Sequence, residues 1–160
     1  MRKDYKKGNK MMKWIHESRI ISKDMIEKVE NFFNVKFPKD FLDVIKKYDG
    51  GYPCPDKKEE DDDIIIIAAK FCENNEVINN IVSFSEEEAS YIIDLFEETE
   101  GLCDKNLIPI AEDPFGNLFC YEVKENSLNI VFWDSELNEK TYICDTFSEF
   151  MNLWYEYKED

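Results

Sequence analysis

Cysteines, one histidine and clustered carboxylates are the side chains of this sequence that could take part in chemistry. The five cysteines lie at positions 54, 72, 103, 120 and 144, with no Cys-x-x-Cys pair among them. This spacing disfavours structural zinc and a disulfide framework, so reduced and mostly buried thiols are expected. His16 is the only histidine and is expected at or near the surface. A Cys–His nucleophile pair stays open as an alternative, although no local signature frames any cysteine.

The most conspicuous carboxylates form one acidic run. Its five members are Glu59, Glu60, Asp61, Asp62 and Asp63. Such a run is typical of a solvated segment, and its functional interpretation is an electrostatic contact for a basic partner. The run lacks the alternating ligands and central glycine of an EF-hand loop, which disfavours calcium. We therefore expect no metal and no cofactor.

Catalytic motifs are missing from the sequence. It contains no Gly-x-Ser-x-Gly elbow, no phosphate-binding glycine loop and no His-Glu-x-x-His helix. Carboxylates are so abundant that some pair will reach the spacing of a glycosidase by chance. The chain is accordingly predicted not to be an enzyme.

Charge is distributed unevenly along the 160 residues, whose formal net charge is −16. Residues 1–58 carry 15 basic and 9 acidic side chains, whereas residues 59–160 carry 5 basic and 27 acidic ones. The strong negative charge of residues 59–160 repels nucleic acid and anionic membranes, and it favours a basic protein as partner. Solubility alone is the alternative explanation.

Membrane insertion and secretion are not expected from the sequence. The longest apolar run, residues 64–69, is far shorter than the roughly 20 residues that span a bilayer. No apolar stretch follows the basic N-terminus, so no secretory signal is predicted, and the protein is expected to be cytoplasmic.

The elements that must position these residues follow from periodicity and capping. Ser22 is predicted to cap a helix, and Pro38 to begin a second one that stops at Gly50 and Gly51. Residues 52–56 contain two prolines and are predicted to be irregular. Strands are predicted over residues 64–69 and 79–84. A helix with a capping box at residues 85–88 is then expected to end near Gly101.

After this helix, apolar residues tend to recur at every second position, which is typical of β-strands. Four short strands joined by turns are predicted, over residues 107–111, 118–123, 128–133 and 140–144. Thr146 is predicted to cap a last helix whose apolar face comprises Phe147, Phe150, Met151 and Trp154. The order predicts an α+β fold, with an N-terminal helix pair and a C-terminal helix packed against a single twisted antiparallel sheet.

Three stretches of the sequence resemble the SUKH superfamily over about residues 22–157. They are FPKDF at 37–41 with YDGG at 48–51, LIPIAEDPFGN at 107–117, and IVFWD at 130–134 followed by FSEF at 147–150. The family often has asparagine where this chain has Asp49. The chain also departs from the family's pattern in an additional basic N-terminal segment, so we expect an N-terminal extension over residues 1–20 and one SUKH-like domain over residues 21–160.

Several residues of the matching motifs are interpreted as structural. Gly50 and Gly51 are predicted to end a helix, and Gly116 to supply a positive φ in a hairpin. Asp113 is predicted to cap its own turn through its side chain. Pro38 is expected at the first turn of its helix. Function is then expected on surfaces that differ between family members.

The resemblance implies a bacterial immunity protein that neutralises a cognate toxin domain, and the charge suggests a basic nuclease. The alternative is a non-catalytic interaction module with an endogenous partner, as in a fungal regulator of cell-wall assembly. Partner contacts are predicted at the acidic run and at turn aromatics and glutamates. These further residues are Tyr52, Glu86, Glu87, Phe115 and Trp133. Ordinary core is the favoured alternative for Trp133, and a helix start for the two glutamates.

Overall fold

The computed structural model describes residues 12–55, 65–99 and 105–158. Its helices are α1 (Lys23–Phe33), α2 (Lys39–Tyr48), α3 (Ile92–Glu98) and α4 (Phe147–Asn152). Its strands are β1 (Met12–Ile15), β2 (Tyr52–Pro55), β3 (Ile65–Phe71), β4 (Asn74–Val77), β5 (Asn80–Ile81), β6 (Leu107–Glu112), β7 (Leu118–Lys124), β8 (Ser127–Asp134), β9 (Glu139–Cys144) and β10 (Trp154–Lys158). The α+β class is confirmed. No helix within the described residues is long and apolar enough to cross a membrane.

The N-terminal helix pair is confirmed. The Ser22 hydroxyl accepts a hydrogen bond from the Met25 N–H at 3.2 Å, and Asn34 ends α1 in the left-handed region with φ 55°. Pro38 has an extended backbone and immediately precedes α2. Proline has no N–H group, but an N–H at this position would have no hydrogen-bond partner within the helix. Gly50, with φ 67°, turns the chain out of α2.

The prediction of a single sheet is wrong, because the strands form three sheets. The predicted meander is confirmed and belongs to a five-stranded antiparallel sheet in the order β5-β6-β7-β8-β9. A three-stranded sheet has the order β10-β3-β4, and β1 pairs with β2 in a ribbon. The strand in residues 64–69 therefore pairs with the end of the chain instead of extending the meander.

Two other predictions are wrong in part, because each segment pairs with a strand that is distant in the sequence. Residues 52–55 form β2, since a two-stranded ribbon has free edges at which a proline removes no necessary hydrogen bond. The last helix stops at Asn152, and Trp154 begins β10, where it is still part of the core. β1 lies within the segment predicted as an N-terminal extension.

The helix predicted after residue 85 begins only at Ile92. Turns occupy the preceding residues, and the strand expected over residues 79–84 is reduced to Asn80–Ile81. The end expected near Gly101 lies outside the described residues. The glutamates at 86–88 consequently belong to a loop and not to a helix start.

The core joins the helices to the sheets mainly through aromatic rings. Phe41 of α2 packs edge-to-face on Tyr121 of β7 and on Phe147 of α4. Phe150 contacts Phe119 and Trp154 in the same layer. These contacts hold α2 and α4 against β7 of the meander.

Gly51 is expected to be intolerant of any side chain. A Cβ there would lie 2.6 Å from the Tyr48 carbonyl oxygen and 3.0 Å from Trp14 Cε3. We expect Gly51→Ala to lower the free energy of unfolding by about 1–3 kcal/mol, since backbone must move. Ser127→Ala is the control in urea unfolding, because it alters an exposed side chain on β8 and adds no volume to the interior. Equal losses in the two variants would contradict the steric argument.

Candidate protein-binding site

The turn between β6 and β7 is built around one carboxylate. Asp113 Oδ1 accepts hydrogen bonds from the N–H groups of Phe115 and Asn117, both at 2.8 Å. Gly116 adopts φ 89°, a conformation in which other residues are strained. Phe115 is thereby held at the tip of the turn.

The turn between β8 and β9 is built in the same way. Asp134 Oδ1 accepts from the N–H groups of Glu136 at 2.9 Å and Leu137 at 3.1 Å. Asn138, with φ 50°, accepts a hydrogen bond from Trp133 Nε1 at 2.9 Å. Leu137 is thereby fixed at the second tip.

Asn117 joins the two turns through its side chain. Its Nδ2 donates to Asp113 Oδ2 at 2.8 Å, and its Oδ1 accepts from the Ser135 N–H at 2.9 Å and from the Ser135 hydroxyl at 3.1 Å. Residues 113–117 and 134–138 thus form one unit, which we call the two-turn platform. Because its turns are fixed by hydrogen bonds, little conformational entropy is left to lose on binding.

The two-turn platform displays two large apolar side chains to solvent. Phe115 is 76% exposed and Leu137 is 65% exposed. Exposed apolar groups rimmed by polar ones are typical of protein–protein contact sites. An aromatic anchor on a preformed turn is the kind of group that contributes most to binding energy.

Several carboxylates lie in or beside the two turns. Burial raises the pKa of Glu76 on β4, and the nearby charges of Asp113 and Asp134 act in the same direction. Glu112 at the end of β6 also has a raised pKa, chiefly from burial, while its hydrogen bond from Asn80 opposes the shift. Among the described residues, no ion pair involves any of these four carboxylates. The platform therefore carries concentrated negative charge.

Glu112 is expected to make stability depend on pH. The pKa of Glu112 is raised in the folded state, so the folded protein binds this proton more tightly than the unfolded chain does. The free energy of unfolding therefore falls as the pH rises above the usual pKa range of glutamate. Glu112→Gln keeps an oxygen for the Asn80 amide, which Glu112 now binds at 2.7 Å, and removes the charge. We expect this variant to be more stable than the parent at neutral pH in urea unfolding, with the difference shrinking toward about pH 4. An equal difference at both pH values would contradict this.

The predicted contact residues do not form one site. Phe115 lies on the platform, whereas Trp133, 3% exposed, is core beneath it. Tyr52 is half exposed on β2, opposite Ile15. Glu86 and Glu87 are exposed on the loop before α3. The acidic run Glu59, Glu60, Asp61, Asp62 and Asp63 lies outside the described residues.

Other parts of the platform were not predicted from the sequence. Leu137 and Asn117 of the platform were missed as site residues, as were Glu76 and Glu112, which lie beside it. The turn cluster at residues 134–136 was the only sequence signal for Leu137, and it indicates a turn without indicating exposure. Glu76 reaches the platform only because β4 pairs with β3, a contact between strands that no local pattern specifies.

A second polar cluster, centred on Asp49, joins distant segments. The Asp49 side chain is 1% exposed, and its oxygens accept from Arg19 Nη1, the Ser83 hydroxyl and the Phe84 N–H, each at 2.6 Å. Arg19 also pairs with Glu17 and Glu88. Every polar group is satisfied here, so the cluster is structural and ties the chain before α1 to the loop before α3.

Cysteine and histidine are not arranged for nucleophilic chemistry in the described residues. Cys120 and Cys144 are buried, Cys54 is partly buried and Cys72 is exposed. Burial raises the pKa of Cys144 to about 12, so its thiol stays protonated at neutral pH. His16 is exposed beside Tyr48. Within residues 12–55, 65–99 and 105–158, no group of three or more potential ligands is placed to hold a metal ion.

Comparison with known proteins places these features in a family. No curated protein matches the chain. The model of the SMI1 / KNR4 family (SUKH-1) matches residues 20–153. This match covers most of the chain and includes the two-turn platform and Asp49 with its partners Ser83 and Phe84, whereas Arg19 lies just before the matched residues. The chain belongs to the SMI1 / KNR4 family (SUKH-1), which includes toxin immunity proteins.

Proposed function

We propose that this protein is a cytoplasmic immunity protein, without catalytic activity, that binds and neutralises a cognate toxin domain. The observation that carries the proposal is the two-turn platform, where Phe115 and Leu137 stand exposed among carboxylates that have no basic partner in the described part of the chain. Membership of a family that includes toxin immunity proteins supports the same function. The apolar tips supply the anchors, and the carboxylates select a basic surface.

The toxin is proposed to be a basic nuclease. A nuclease holds its substrate through cationic groups that contact phosphates. An acidic inhibitor competes for that surface, and the net charge of −16 accelerates the encounter. The platform adds specificity to this general attraction, because its two apolar side chains need matching pockets on the partner.

The test is a rescue assay with the neighbouring gene. The C-terminal domain of the protein encoded directly upstream is expressed in a naive host, and colonies are counted with and without this chain. We expect killing that this chain relieves and that an unrelated protein of similar negative charge does not. Absence of toxicity, or toxicity without relief, would favour an endogenous partner, which a pull-down from the native lysate would then identify.

Electrostatic attraction is expected to appear in the association rate. We expect the rate constant for toxin binding, measured by stopped-flow fluorescence, to fall by about tenfold or more between low and high salt, because screening shortens the reach of the charges. The dissociation rate should change much less, since the apolar anchors are insensitive to salt. An association rate that does not depend on salt would contradict the electrostatic part of the proposal.

A further inference from the structure

A groove of about 430 Å³ lies between α1 and the loop that precedes α3. Its apolar lining comprises Met25 of α1 with Phe84 and Tyr91 at the two ends of the loop. Three carboxylates, from Asp24, Glu86 and Glu87, also line the groove. It is separate from the two-turn platform, with which it shares no residue.

The loop wall of this groove is fixed in place. The Ser83 N–H donates to the Ser90 carbonyl at 2.8 Å, and the Ile92 N–H donates back to the Ser83 carbonyl at 2.9 Å, which closes the loop at its base. The buried Asp49 carboxylate holds the Phe84 N–H at 2.6 Å. A compact loop with its ends joined in this way is a common carrier of binding residues. The groove is therefore preformed.

Negative charge dominates the groove. Lys28 is the one basic residue in its lining, and its ammonium pairs with Glu86 at 2.7 Å. Asp24 and Glu87 take part in no ion pair among the described residues. Burial raises the pKa of Tyr91, with Glu86 among the carboxylates that act in the same direction and Lys28 acting against it. Two carboxylates remain available for a cation.

We propose that this groove binds an arginine-bearing segment of a protein partner. The apolar lining suits the methylene stem of arginine, and Asp24 and Glu87 suit its guanidinium, which is planar, weakly hydrated and able to meet two carboxylates at once. The inference rests on the proposed function only in that the partner is a basic protein. The groove would provide a second contact, in which one arginine side chain of the partner is bound, in addition to the apolar anchors of the platform.

The test is an NMR titration of the full chain with a short peptide, acetyl-Gly-Leu-Arg-Gly-amide, and with its citrulline counterpart. We expect the arginine peptide to shift the Met25 methyl signal and the backbone amides of residues 84–91. The citrulline peptide, which has the same shape without the charge, should shift them several-fold less at equal concentration. Equal shifts from the two peptides, or shifts centred on the two-turn platform, would overturn the proposal.

Charge-matched variants sharpen the result. The double variant Asp24→Asn/Glu87→Gln is expected to weaken binding of the arginine peptide by about fivefold, since exposed ion pairs contribute modestly. The control Glu125→Gln/Glu139→Gln removes the same charge at exposed positions elsewhere and should leave the affinity nearly unchanged. Equal weakening by both variants would show general attraction and overturn the groove as a site. No toxin is used, so this outcome is independent of the rescue assay.

Discussion

Asp49→Ala is expected to lower the free energy of unfolding by about 3 kcal/mol or more. The change leaves the Phe84 N–H and the Ser83 hydroxyl without their acceptor in the interior. It also leaves the Arg19 guanidinium without its most buried carboxylate partner, whose contact is 2.6 Å. The loop before α3 and the chain before α1 would both lose their common anchor.

Urea unfolding measures this loss, and two variants define its origin. Asp49→Asn keeps one oxygen for the Phe84 N–H but turns its amide toward both Arg19 and the Ser83 hydroxyl, which share the other oxygen, so an intermediate loss is expected. Glu17→Ala removes an exposed partner of Arg19, whose contact is 2.9 Å, and should change stability by less than about 1 kcal/mol. A loss in Asp49→Ala no larger than that in Glu17→Ala would show that Asp49 is not the anchor.

The double variant Phe115→Ala/Leu137→Ala is expected to weaken binding of the cognate toxin by about a hundredfold or more, because exposed anchors at the centre of an interface cost about 2 kcal/mol each when truncated. Its folding stability should stay within about 0.5 kcal/mol of the parent, since both side chains project into solvent. Calorimetric titration gives the affinity, and thermal unfolding gives the stability.

Ile20→Ala is the matched control for this double variant. Ile20 is another exposed apolar side chain, 89% accessible, and it lies next to Arg19 instead of on the platform. It should bind toxin as the parent does. Equal toxin affinities for the parent and the double variant would show that the two-turn platform is not part of the interface. The groove beside α1 would then be the next candidate contact.

The features that the sequence predicted well are those specified by a few adjacent residues. Ser22 caps α1 through a bond to a residue three positions on, and Asp113 organises a turn of five residues through its own side chain. The meander follows from alternation within each strand and from the turn residues between strands. Such features depend on local geometry, which the order of residues largely determines.

The features that the sequence did not predict depend on contacts between distant segments. Phe147, Phe150, Met151 and Trp154 have helical spacing, but pairing of Trp154 with Ala69 places the last of them in a strand. The glutamates at 86–88 fit a capping box, but the hydrogen bonds of Ser83 with Ser90 and Ile92 close a loop there instead. For the candidate site, Phe115 was predicted as a turn aromatic, whereas Leu137 is brought beside that turn by the pairing of β7 with β8 and by the Asn117 bridge.

The pairing of β3 with β10 has a consequence for the order of folding. The meander β6–β9 closes only short loops, so its strands can pair as soon as they are synthesised. β3 must wait for a partner strand more than half of the chain length away, and closing that long loop carries a larger entropic cost. During synthesis, β3 is therefore expected to stay unpaired with β10 after the two-turn platform has formed, which leaves one of its edges open to mispairing with other chains.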